Sequence, residues 1–259
     1  MQQAKKFITN KYMMFLYGTI FVFLLWWIIS LCVNSLIVPS PIDTIKLMGK
    51  YLADGYTYIC LGHSLLRMIL GFLIAFVIAL ILGLIVNDNE KLYQFFTPTM
   101  TFFKAIPTAA LVFLFIVLLG AQQAPMLVVV LIAIPILYEA VVGGFKNSDI
   151  NVIDSARVDG ANKTKLVLNI QFPLSIPYIV IGLISAFSLS FKIEIMAEVI
   201  TGSTENGIGC LIKGAQISDP TDMTPVFAYS LIAVIMMLII TLGAFIVTEK
   251  IKKAYHITK

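Results

Sequence analysis

Charge is what this sequence has least of. Only 12% of its 259 residues are Asp, Glu, Lys or Arg, against 59% in the hydrophobic set, and the mean hydropathy is +0.96. A water-soluble domain of this size does not carry apolar runs of this length, so the scarcity excludes one and points to an integral membrane protein of a single domain. Histidine is nearly absent, with His63 and His256 far apart. There is no H-E-x-x-H, no G-x-S-x-G and no Cys-His cluster, so neither a hydrolytic site nor a metal site is expected. Cys32, Cys60 and Cys210 are odd in number and lack ligand spacing, which makes them small apolar residues. The net charge of +4 is not a nucleic-acid signal, because the lysines gather at the edges of the apolar runs. Nothing matches a P-loop. Gly202–Gly209, GSTENGIG, lacks the Gly-Lys-Ser/Thr ending and a preceding strand, and reads as a turn-rich loop.

What is present is apolar sequence in six blocks, at about 13–33, 65–86, 106–119, 125–145, 174–191 and 225–247. Each is near the roughly 20 residues that cross a hydrocarbon layer, except the third, which is short unless it begins before Pro107. All are expected to be helices, since lipid offers no partner to an unpaired backbone group. The fourth is expected to bend at Pro135. The first follows Lys5, Lys6 and Lys11. It is too long for a cleaved leader and no A-x-A site follows it. Ile29-Ser30-Leu31-Cys32 glances at a lipoprotein signal, but Leu31 is too large for the residue before the cysteine.

With the N-terminus inside, thirteen of the 18 Lys and Arg residues fall on the inner side, which predicts both termini in the cytoplasm. The outer side then holds two longer connections. Asn34–Gly62 contains an amphipathic helix from Pro41 to Leu52, and Lys192–Thr224 is glycine-rich. Lys192, Glu194 and Glu198 fall where the fifth span should end. Charges near hydrocarbon tend to face a cavity or a partner. They either line a substrate path or form an interfacial helix end with Lys192 paired to a neighbouring carboxylate. Glu139 and Arg67, near the ends of the fourth and second spans, read as interface anchors.

The longest polar interruption in the second half is Asp154–Pro173, DSARVDGANKTKLVLNIQFP, within the loop 146–173. Asn147 or Ser148 can cap a first helix there, and Asp149 suits its positive end. Ile150, Ile153 and Ala156 recur at helical spacing. Gly160 permits a turn, Leu166, Val167 and Ile170 give a second helix its apolar side, and Pro173 should end it. A short surface-held helix with a small-residue face, at Ser155 and Ala156, is a docking element; the alternative is an ordinary helical loop.

This segment resembles the EAA loop of ABC importer membrane subunits, whose pattern is Glu-Ala-Ala, three residues, Gly, nine residues, Ile, one residue, Leu-Pro. Here Asp154-Ser155-Ala156, Gly160, Ile170 and Phe172-Pro173 keep every gap, with Asp for Glu, Ser for Ala and Phe for Leu. The run from His63 (HSLLRMILGFLIAFVIALILGLIV), Lys104-Ala105-Ile106-Pro107 and EIMAEVITGSTENGIGCLI from Glu194 look like the nitrate, sulfonate and taurine permeases. Phe191 stands where tryptophan is common. The resemblance implies an all-α, six-span permease of the bacterial cytoplasmic membrane with a cytoplasmic coupling loop. It implies a second permease copy enclosing one path, two cytoplasmic ATPase subunits that bind ATP and Mg, and an extracytoplasmic solute-binding protein. No cofactor would sit in this chain. Asp154, Ser155, Ala156, Arg157, Gly160 and Pro173 would form the ATPase contact. The solute would be nitrate-, sulfonate- or taurine-like, or a vitamin or pyrimidine precursor. A carrier or channel driven by an ion gradient is the competing class. It usually places acidic groups or broken helices near the bilayer midplane, whereas these six spans have almost no charge at their centres.

Overall fold

The computed structural model describes residues 11–87, 89–202 and 206–254. Among them are eleven α-helices and no strand: α1 Lys11–Cys32, α2 Pro41–Ala53, α3 Gly55–Asn87, α4 Glu90–Ala105, α5 Thr108–Leu119, α6 Ala124–Lys146, α7 Ile150–Val158, α8 Lys163–Leu166, α9 Phe172–Thr201, α10 Ile208–Ser218 and α11 Thr224–Ala254. A π-helical turn, Val167–Gln171, joins α8 to α9 without a break. The all-helical expectation for a membrane chain holds.

Four described helices are long and apolar enough to cross a membrane: Gly55–Asn87, Ala124–Lys146, Val167–Thr201 and Thr224–Ile251. A fifth crossing is reached if α4 and α5 count as one span; they meet at an angle of 91°. The bend has a local cause. Proline disfavours helical backbone in the residue before it, and Ile106, preceding Pro107, is extended at φ −70°, ψ 128°. The short third span predicted at 106–119 is thus the second leg of a bent pair. α1 covers the first expected span, with an apolar run over Leu16–Cys32. α6 continues through Pro135 without interruption.

Two helices run further than the sequence suggests, and this matters most for the charges. α3 has 33 residues and starts at Gly55, so Arg67 lies more than three turns inside it rather than at its mouth. α9 continues past Phe191 to Thr201, so Lys192, Glu194 and Glu198 sit within a helix and not at its end. It stops at Gly202, whose left-handed φ of 64° lets its N–H return to the Glu198 carbonyl at 2.9 Å. Much of the expected outer connection after Lys192 is therefore helical.

The chain divides into two units. The first comprises residues up to Tyr58 with Leu211–Ile232. In it, Ser40 caps α2, accepting from Asp43 N at 3.1 Å and donating to Asp43 Oδ2 at 2.7 Å, with Pro41 starting the helix. The amphipathic helix expected from Pro41 to Leu52 is this one. The Trp26 indole N–H donates to the Pro39 carbonyl at 3.2 Å, its ring stacks on Phe227, and Tyr51 stacks on Tyr229 at 4.1 Å.

The second unit is Ile59–Cys210 with the chain from Ala233 onward. Its most extensive packing is α6 against α9. Small residues permit this, as is usual between membrane helices. A Cβ built on Gly182 would lie 2.1 Å from that of Ala140, and one on Gly144 would lie 2.9 Å from Ile179 Cγ1. The apolar centre is formed by Met68, Ala75, Leu137, Tyr138, Ala186 and Phe191, all at most 1% exposed. Glu139 is exposed and ion-paired with Lys104 of α4, consistent with an anchor.

Candidate functional site

Two polar constructions stand out in this apolar unit. The first is the segment between α6 and α9. α6 ends at Lys146, and Asn147 and Ser148 turn their side chains back to the carbonyls of Gly143 (2.7 Å) and Gly144 (3.3 Å). They finish α6 rather than begin α7. The cap of α7 is Asp149, which directly precedes Ile150 and whose Oδ1 accepts from Asn151 N at 2.9 Å. α7 buries Ile153 and leaves Val152 and Val158 exposed, the latter at 87%. Asp154 and Ser155 are exposed, and Ala156 is half-buried. Ser155 Oγ donates to the Asn151 carbonyl at 2.7 Å. The Arg157 side chain lies outside the described residues. Gly160 has φ 81°, the left-handed conformation expected of it.

Pro173 does not end the second helix. It is exposed in the first turn of α9, directly after the π turn, where the Phe172 N–H bonds to Val167 five residues back. The wider turn re-spaces the hydrogen bonds at the point where proline supplies none, so the helix passes through. Leu166 and Val167 are buried as expected, and Ile170 is half-buried.

The second construction joins α3, α9 and the start of α10. Glu194 and Glu198, one turn apart on α9, are both fully buried. Arg67 Nε donates to Glu194 Oε1 at 3.2 Å, and its Nη2 donates to Glu198 Oε1 and to the Asn206 carbonyl, the latter at 2.6 Å. Ser64, one turn before Arg67, donates to both oxygens of Glu198 at 2.8 Å and accepts the Ile208 N–H at 2.9 Å. Gly209 N donates to Glu198 Oε2 at 2.9 Å. Among the described residues, Glu194 Oε2 is the one carboxylate oxygen of the cluster with no hydrogen-bond partner. Added Cβ atoms at Gly207 or Gly209 would meet Glu198 within 2.6 Å, so the glycines let the backbone close over the carboxylate.

Of the three residues predicted to act together here, the structure brings Glu194 and Glu198 together and leaves Lys192 apart. Lys192 is exposed, since two residues turn a helix by about 200°. The partner of the carboxylates is Arg67, read from sequence as an anchor. The signal lay in two spacings, Ser64-x-x-Arg67 and Glu194-x-x-x-Glu198, each of which puts both groups on one helix face.

With this geometry, the sequence profile of the family described as binding-protein-dependent transport system inner membrane component matches residues 71–255. The chain belongs to that family. Its members are ABC transport permeases, not enzymes. A probable ABC transporter permease protein of Brucella melitensis is 24% identical over 196 residues, covering 74% of this chain and 77% of that protein. The nitrate import permease protein NrtB of a Synechocystis species is 27% identical over 190 residues, covering 69% and 68%. Solved structures share the fold. The inward-facing MetNI methionine ABC transporter matches at a TM-score of 0.64 and 18% identity, over 76% of this chain and 97% of that one. An amino acid ABC transporter solved with histidines matches at 0.66 and 16%, over 78% and 96%. The permease is thus a multi-pass membrane protein of the binding-protein-dependent importer type.

Proposed function

We propose that this permease forms, with a second copy of itself, the path for a small solute across the bacterial cytoplasmic membrane, and that separate cytoplasmic ATPase subunits move it by gripping α7. An extracytoplasmic binding protein would deliver the solute, and ATP and Mg would be bound by the ATPases. The observation that carries this reading is α7 itself: a capped helix of nine residues, anchored by Ile153, with Asp154, Ser155 and Val158 outward and Gly160 closing it. An exposed apolar residue on a short rigid helix between two spans is a surface for a partner. Asp154, Ser155, Ala156 and Arg157 would meet the ATPase; Gly160 and Pro173 would set the loop's shape. Both termini would then be cytoplasmic.

The similarity to a nitrate import permease supports a nitrate-, sulfonate- or taurine-like solute, with vitamins and pyrimidine precursors as the neighbouring class. Lys192, exposed on α9, is the residue of the predicted path set best placed to meet an anion; Glu194 and Glu198 are engaged by Arg67. The same buried carboxylates also favour the competing class, because acidic groups inside spans are frequent in ion-coupled carriers.

Affinity purification of the tagged permease tests the first reading. An ATPase subunit should accompany the wild type and be lost from Val158→Glu with the melting temperature unchanged. Uptake into membrane vesicles separates the two classes. Loss on ATP depletion, with survival in an uncoupler, is the result expected; the reverse pattern assigns the chain to the ion-driven class.

A further inference from the structure

α7 is covalently continuous with α6 on one side and, through α8 and the π turn, with α9 on the other. α3 has no such link, yet its last residue reaches the same place. Asn87 Nδ2 donates to Gln171 Oε1 at 2.9 Å, and Gln171 Nε2 donates back to Asn87 Oδ1 at 3.3 Å. The same Gln171 nitrogen lies 3.5 Å from the Phe145 carbonyl near the end of α6, and the Gln171 carbonyl accepts from Ser148 Oγ at 3.4 Å. One side chain and its backbone thus touch the ends of two spans and the entrance of the loop. A reciprocal amide pair fixes orientation as well as distance, which a single hydrogen bond does not.

The pair sits against apolar packing. Val86 is buried, and Phe172 packs on Phe145 in the cluster holding Val141 and Ile179, which Leu84 also packs against. Asn87 and Gln171 are themselves half-buried, so the value of the pair lies in the geometry it fixes more than in the cost of losing it. Gln171 is also the last residue of the π turn. Single π turns inside α-helices are frequent at functional sites. Leu166 and Val167 are buried, so displacement of α7 is carried into the π turn rather than lost in a loose linker.

We propose that Asn87 and Gln171 are the joint through which displacement of α7 is delivered to α3; this rests on the reading that an ATPase grips α7. Both are positioning residues: they touch neither nucleotide nor solute. The joint explains why α3 ends in an amide after an apolar run, and it gives the third helix of the corner a share in the motion.

The test uses the complex purified by a tag on this chain and reconstituted in liposomes. Ile85, 47% exposed on the last turns of α3, is replaced by cysteine after Cys32, Cys60 and Cys210 are removed. Maleimide labelling of that site is timed with and without ATP and vanadate. The parent should show a nucleotide-dependent change in rate. In Asn87→Ala, and in the nearly isosteric Gln171→Met, that change should shrink at least about fivefold, the lower end of measured couplings between sites. ATPase co-purification and basal hydrolysis should persist. The exchange Asn87→Gln with Gln171→Asn conserves the summed length of the pair and should restore the change. Retention of the change in the single variants, or no recovery in the exchange, overturns the joint. So does a parent that hydrolyses ATP with no change at position 85. A parent that carries no ATPase at all removes the reading of α7, and the joint with it.

Discussion

The α7 loop and the Arg67 cluster are both polar, and they are built in opposite ways. Among the described residues, α7 has one buried apolar anchor, a cap, and hydrogen bonds to its own backbone, and it leaves Val152, Asp154, Ser155 and Val158 exposed. The cluster has two carboxylates at 0% exposure held by Arg67, Ser64 and Gly209, with two glycines giving the backbone room. Local bonds alone hold a shape while leaving a surface free. Bonds between distant segments, here 127 to 144 residues apart, hold the fold together. The first pattern suits a part that something else would grip, the second a part that would stay closed.

The sharpest way to break this contrast is to remove the guanidinium. Arg67→Ala strands two buried carboxylates, and losing one partner of a buried ion pair costs about 3 to 5 kcal/mol. In a chain of this size that lowers the melting temperature in detergent by about 6 to 20 °C. A variant melting within a degree of wild type would show that the cluster is not what closes this corner.

Next comes the room made by glycine. Gly209→Ala puts a Cβ 2.5 Å from Glu198 Cβ and 2.6 Å from the Ile195 carbonyl, an overpacking worth about 1 to 3 kcal/mol. Gly214→Ala, with nothing within 4 Å in the same helix as Gly209, is the control and should stabilise by about 0.5 to 1 kcal/mol. Equal melting temperatures for the two variants would contradict the packing.

On the loop the effects are smaller. Asp149→Ala removes the cap and should loosen α7 by about 1 kcal/mol, read as faster amide exchange over Ile150–Val158 alone. Exchange that quickens across α9 as well would mean the loop is not locally held. Val158→Ser, at an 87% exposed position, should move stability by less than about 0.5 kcal/mol while weakening ATPase co-purification. A large loss of stability there would place Val158 in the fold rather than on a docking face.

What the sequence discloses follows from how far each signal reaches. Apolar runs and the Asp154–Pro173 spacing are local, and the helices, the turn at Gly160 and the buried sides of α7 and α8 follow from them. Pro173 misleads because a proline normally ends a helix, and the π turn that carries the chain past it leaves no mark in composition. Arg67 looks like an anchor because its partners lie more than a hundred residues away, although Glu194 and Glu198 are at one-turn spacing in plain sight. Lys192 joins them by proximity along the chain, which a helix does not respect. The Asn87–Gln171 pair is invisible for the same reason as Arg67: neither amide is unusual until the fold brings them together.

The length of α3 has a consequence of its own. At 33 residues it is about 50 Å long, and even a lean of 40° leaves it about 38 Å tall, beyond the roughly 30 Å of oily interior. Arg67 stands about 18 Å from its first residue. In bilayers of different acyl-chain length the helix is expected to tilt differently, and the depth of that guanidinium relative to the headgroups to change with it.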